Sequence, residues 1–87
     1  METFSRPSDP TRIVLDLRGL KCPLPVLRAR KALDAMADGT TLILMCSDPM
    51  SRIDLPHLVK QRGDCLEAQS EEDGVLTFIV RRRRPQS

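Results

Sequence analysis

A chain of 87 residues makes one domain with a small core, and its only aromatics are Phe4 and Phe78, so Leu, Ile, Val, Met and Ala must build that core. The formal charge of +2 comes from one end: Arg81 to Arg84 carry four positive charges, while the first eighty residues hold ten basic and twelve acidic side chains. This balance excludes a uniformly basic nucleic-acid binder, and the longest uncharged run, Gly39 to Ser47, is too short for a spanning helix of about 20 residues.

Met1 to Arg12 is polar, with Pro7 and Pro10 and no apolar stretch, and reads as a disordered leader over residues 1–12 rather than a signal peptide. Ile13 to Leu17 reads as a first strand, closed by a turn at Gly19. Pro25 to Ala37 reads as a helix, with Val26, Ala29, Leu33 and Met36 at helical spacing facing a sheet and Gly39 as its stop. Thr41 to Cys46 is nearly continuous apolar sequence and suits an inner strand, broken by Asp48-Pro49.

Ser51 to Arg62 reads as a second helix with Leu55, Leu58 and Val59 inward, Gly63 as its stop, and Ser51 with Asp54 as a weak capping box. Pro56 implies that this helix starts near Asp54 or bends there. Cys65 to Ser70 reads as a third strand, with Leu66 and Ala68 on one face. Asp73-Gly74 is a hairpin signal, and Val75 to Val80 is the returning strand. The order β-α-β-α-β-β predicts a two-layer α/β (α+β) sandwich, two helices on one face of a four-stranded mixed sheet. The folded domain is expected over 13–82, with a basic flexible tail over 83–87.

The chemistry concentrates in Arg18-Gly19-Leu20-Lys21-Cys22-Pro23-Leu24-Pro25. Pro23 suits the first helical position, which would put Cys22 at the cap, where unpartnered N–H groups and the macrodipole favour an anion. Lys21 and Arg18 add positive charge, so Cys22 is expected to have a depressed pKa and to act as a nucleophile. The bland alternative, a small buried hydrophobe, needs neither flanking prolines nor cations. A thioredoxin-type motif would carry a second cysteine where Pro25 stands, so intramolecular disulfide chemistry is not expected. A lone thiolate can still carry a persulfide, an acyl group or a mixed disulfide.

Cys46 and Cys65 lack cationic surroundings and read as packing residues. The three cysteines lie 24 and 19 residues apart, without the short spacing of a zinc motif, and their odd number gives no disulfide framework. A reducing, cytoplasmic location is therefore expected. His57, the only histidine, reads as a solvated or half-packed residue on the second helix, and nothing resembling an oxyanion loop accompanies it.

The cysteine segment resembles the TusA/SirA-like family of small sulfur-carrier proteins. The likeness covers about Leu15 to Arg82 and rests on the Cys-Pro-any-Pro signature Cys22-Pro23-Leu24-Pro25, preceded by Asp16 to Lys21. Arg30 to Leu33, Asp48-Pro49 and Asp54-Leu55-Pro56 are further matches. The resemblance implies the same two-layer fold. It implies that Cys22 accepts sulfane sulfur from a cysteine desulfurase, becomes a persulfide and relays the sulfur to an acceptor protein. In one branch the relay ends in tRNA thiolation; others serve sulfur oxidation, molybdenum cofactor maturation or selenium metabolism.

On that view Cys22 should be exposed, and Pro23, Pro25 and Gly19 should shape the turn that presents it. Arg18 and Lys21 become contacts for an acidic partner surface, joined by Asp48 if it lines the same edge rather than merely closing a turn. Neither cofactor nor metal is expected, direct nucleic-acid binding is not expected, and a monomer meeting partners transiently is. Two other classes stay open: a non-catalytic regulatory or RNA-binding module using the basic C-terminus, and a thiol redox sensor. The absence of aromatics for base stacking weighs against single-strand RNA readout.

Overall fold

The computed structural model describes residues 12–83. The leader expected over 1–12 and the tail expected over 83–87 lie outside the described residues, except Arg12, which opens the first strand, and Arg83. The elements are β1 (Arg12–Leu17), α1 (Leu24–Ala35), β2 (Thr41–Cys46), α2 (Ser51–Arg62), β3 (Cys65–Glu72) and β4 (Val75–Arg81). Their order is the expected one. The sheet runs β1-β2-β4-β3, with β1 parallel to β2 and the other pairs antiparallel.

The apolar run of β2 is indeed an inner strand, paired on both sides. It buries every second residue, Leu42, Leu44 and Cys46, each opposite a buried residue of β4: Val80, Phe78 and Leu76. Period-two alternation puts all six on one face, and both helices cover that face. From α1 come Ala29 and Leu33, from α2 Leu55, Leu58 and Val59, all buried as their spacing predicts. Each fully buried aliphatic side chain contributes about 1.5–3 kcal/mol relative to exposure.

Several boundaries differ from expectation. β3 is longer, and a bulge at Glu67 shifts its register, since Leu66 pairs with Val80 while Ala68 pairs with Ile79. The extra residue swaps faces, so Ala68 is exposed instead of sharing the inner side with Leu66. Asp73 and Gly74 both have positive φ, 53° and 80°, which a tight two-residue hairpin requires. α2 begins at Ser51 and runs through Pro56, and no side chain caps it, so the expected Ser51–Asp54 box does not form. Among the described residues, no helix is long and apolar enough to cross a membrane.

Gly63 ends α2 in the left-handed conformation, φ 83°, with its N–H and that of Asp64 returned to the Val59 carbonyl. A side chain there meets no neighbour, so the cost of substitution is conformational. Gly63→Ala is expected to lower stability by about 1–2 kcal/mol, read from urea unfolding; an unchanged midpoint would contradict it.

The arginine run is structural over its first residues. Arg81 pairs with Glu67 at 2.9 Å across the β3–β4 ladder. Arg82, 18% exposed, donates Nε–H to the Leu33 carbonyl at 2.8 Å, giving α1 the basic C-terminal partner that its own last turn lacks. Asp64 has a fully buried carboxylate that accepts from Arg62 Nε at 2.8 Å and from the Arg83 backbone N–H at 2.9 Å, with Arg82 at 3.6 Å. Arg81 and Arg82 are thus tied into the fold.

Candidate functional site

Because β1 and β2 are parallel and in register from Arg12↔Thr41 to Leu17↔Cys46, the loops that follow them leave the same end of the sheet. One loop carries Arg18 to Pro23 into α1, and the other carries Ser47 to Met50 into α2. Side chains of the second loop bind backbone of the first. Gly19 donates its N–H to Ser47 Oγ at 2.8 Å, and Cys22 donates its N–H to Asp48 Oδ2 at 2.5 Å. The other oxygen of Asp48 accepts the Met50 N–H at 3.1 Å. Asp48 thus clamps the cysteine turn to the start of α2, and these two N–H groups hold its carboxyl below the usual range.

Cys22 is exposed, as expected. It is not the cap of α1. Pro23 occupies that position, Leu24 opens the helix, and Pro25 is buried in the first turn. The Cys22–Pro23 peptide is cis. Cys22 therefore sits one residue further from the helix start than the motif suggests. The hydrogen-bond partner of its thiol is acidic: Sγ–H donates to Asp54 Oδ2 at 3.2 Å.

The consequence reverses the electrostatic expectation. The hydrogen bond to Asp54 pushes the Cys22 thiol above its ordinary value, helped by partial loss of water and by the charges of Asp54 and Asp48. A thiolate here would face two carboxylates and lose a hydrogen bond. Neither expected cation offsets this. Arg18 is bound by Asp16 through Nε and Nη2, both at 2.8 Å, which holds the Asp16 carboxyl down to about 2. Lys21 is exposed, and its charge acts on Asp48. Alkylation of Cys22 is expected to rise with pH through a midpoint above the ordinary thiol value of about 8.5; a midpoint below that value would contradict the geometry.

Cys22 forms one wall of a hollow of about 240 Å³ between the helices, lined also by Val26 and Arg30 of α1 and by Asp54, His57 and Gln61 of α2. His57 is exposed on the rim, and the thiol proton points to Asp54 instead. Around the two helix starts, large apolar side chains stand in solvent: Leu24 and Leu27 on α1, Met50 just before α2 and Ile53 on it, between 43% and 65% exposed. Exposed apolar side chains at the same end of the fold as an exposed thiol suit contact with another protein. Cys46 is fully buried in β2 and packs as expected, and Cys65 is half-buried at the start of β3. Among the described residues no cluster could hold a metal ion.

Of the residues expected at the site, Gly19, Lys21 and Asp48 line one hollow and Cys22 and Pro23 the next, joined by the Cys22–Asp48 bond, while Pro25 is buried inside α1. Asp48 both closes its turn and lines the site, and Arg18 points its charge at Asp16. Asp54 was the residue sequence reasoning missed. It stood out in the sequence only as part of the Asp54-Leu55-Pro56 family match and of a weak capping box, and no local spacing links it to a cysteine 32 residues earlier.

The chain is similar to several known proteins. The family profile described as Sulfurtransferase TusA matches residues 13–82. A protein of Neisseria meningitidis is 44% identical over 69 residues, covering 79% of this chain and 93% of the relative. The sulfur carrier protein TusA of Allochromatium vinosum is 43% identical over 68 residues, covering 78% and 90%. Among solved structures, a SirA-like protein of Desulfitobacterium hafniense superposes with a TM-score of 0.71 at 29% identity, over 82% of this chain and 97% of that one.

Proposed function

Because the chain belongs to the sulfurtransferase TusA family of sulfur carriers, we propose that Cys22 is the atom that carries the sulfur, as a persulfide received from one protein and passed to another. The observation that carries this reading is the exposed Cys22 thiol, held on a turn that two separate carboxylates grip, one by its amide and one by its sulfur. The apolar side chains beside it supply surface for two successive partners, which need only reach an open sulfur rather than enter a cleft. A cysteine desulfurase is the donor this reading calls for, and a protein thiol in a sulfur-relay pathway such as tRNA thiolation is the acceptor. The reducing compartment expected from the cysteine content fits a free thiol that must stay unoxidised.

The competing readings have less behind them. An RNA-binding tail would draw on arginines of which Arg81 and Arg82 are already paired within the domain. A redox sensor favours a low-pKa thiol, and Cys22 is pushed the other way. The test is intact-protein mass spectrometry after incubation with a cysteine desulfurase, its pyridoxal phosphate and cysteine. The expected result is a reducible gain of one sulfur atom, mapped to the peptide containing Cys22. No gain, while a known carrier loads in parallel, overturns the reading.

A further inference from the structure

Taking Cys22 as the carrier atom, we propose that Asp54 is its proton acceptor and donor, taking the thiol proton as sulfur is loaded and returning it as sulfur is handed on. The geometry supplies the path. Sγ–H of Cys22 already points at Asp54 Oδ2 across 3.2 Å, and Asp54 is fixed by the first turn of α2, a rigid element whose Leu55 neighbour is buried. The Asp48 clamp holds the backbone of Cys22 against the start of that same helix, so sulfur and carboxylate keep their registry.

The step balances without an outside oxidant. In loading, Sγ attacks the terminal sulfur of a donor persulfide. The Cys22 Sγ–S bond forms, the donor's S–S bond breaks with its electron pair leaving on the donor thiolate, and the thiol proton passes to Asp54 Oδ2. In handover, an acceptor thiolate attacks the terminal sulfur, the bond pair returns to Sγ, and Asp54 returns the proton to it. Without a proton to restore, the leaving thiolate would emerge beside two carboxylates, an arrangement that raises the barrier.

Other charged groups near the sulfur fit this role less well. Asp48 is occupied by the Cys22 and Met50 amides. Arg30 and His57 line the same hollow from α1 and α2, and Lys21 is the adjacent residue in the chain, but the structure's hydrogen bond from Sγ goes to Asp54. No acid–base role has to be shared, because one carboxylate oxygen is within reach of the one proton that moves.

The experiment compares the rate of sulfur loading by a cysteine desulfurase in the full-length wild-type chain and in Asp54→Asn and Asp54→Glu, with Cys22 ionisation followed in parallel by thiolate absorbance. The two roles open to Asp54 predict opposite signs. If Asp54 only damps the nucleophile, Asp54→Asn increases the thiolate fraction and loads faster at pH 7. If it accepts the proton, Asp54→Asn loads about tenfold to a hundredfold slower at pH 7 although its thiol ionises more readily, and the gap closes at high pH. Asp54→Glu is expected to recover part of the rate. As a measurement independent of any variant, wild-type loading is expected to slow in deuterium oxide at pH 7.

A rate in Asp54→Asn equal to or above wild type, or a wild-type rate indifferent to deuterium oxide, overturns the role of Asp54 while leaving Cys22 as the carrier. Wild-type protein that does not load at all removes the carrier reading and this one together.

Discussion

Cys22→Ser is expected to abolish sulfur loading completely while leaving the unfolding midpoint within a few degrees of wild type. A serine oxygen cannot form the S–S bond that carries the sulfane sulfur, and Cys46 and Cys65 are no substitutes, the first fully buried and the second half-buried at the opposite end of the sheet from the cysteine turn. The fold has little stake in the sulfur atom. Cys22 is exposed, and its structural contribution, the amide donated to Asp48, belongs to the backbone and survives the change. A serine hydroxyl can donate to Asp54 in place of the thiol, so that carboxylate keeps a partner. Mass spectrometry and a thermal melt on the same sample check both halves. Residual loading would move the sulfur to another residue, and a collapsed melt would make Cys22 a structural residue.

The largest effect on stability is expected from a residue remote from the chemistry. Asp64→Ala should cost about 3 kcal/mol, the low end of the range of about 3–5 for breaking a buried ion pair from one side. The side chain is wholly buried and holds Arg62 and the Arg83 amide, with Arg82 close by. Removing it leaves two guanidinium groups, each 18% exposed, short of a partner, though Asp34 still holds Arg62 and the Leu33 carbonyl still holds Arg82. Those remaining bonds are why the low end applies. In a domain of this size the loss lowers the melting midpoint by roughly 12–24 °C. Asp64→Asn, which keeps an acceptor for the Arg83 N–H, should lose less. A change below about 1 kcal/mol for Asp64→Ala would show that the cluster contributes only surface pairing.

These two residues also mark what a sequence can disclose. Cys22 was legible because its neighbours along the chain, Gly19 and the flanking prolines, are what shape its turn, and because apolar periodicity places a strand before it and a helix after it. The core positions Leu33 and Leu58 were legible for the same reason, since burial follows the period of the helix, whereas Phe78, left out of the aliphatic core the composition suggested, is fully buried at its centre. Asp64 and Asp54 were not, because their partners lie across the fold: Arg82 for one, Cys22 for the other. The sign of the charge around the thiol was misread on that account. Arg18 and Lys21 are close in sequence, whereas Asp48 and Asp54 are close in space. The bulge at Glu67 left no trace either, since alternation continues through it and only the partner strand shows the slip.

Asp48 and Asp54 reach Cys22 from 26 and 32 residues further along the chain. During synthesis the thiol therefore leaves the ribosome well before either carboxylate, and until α2 has docked it titrates as an ordinary cysteine. Folding is then the event that quiets the sulfur, and a partly folded or heat-loosened chain is the form most open to stray electrophiles. The finished domain restrains its one exposed thiol through a contact that exists only once the second helix is in place.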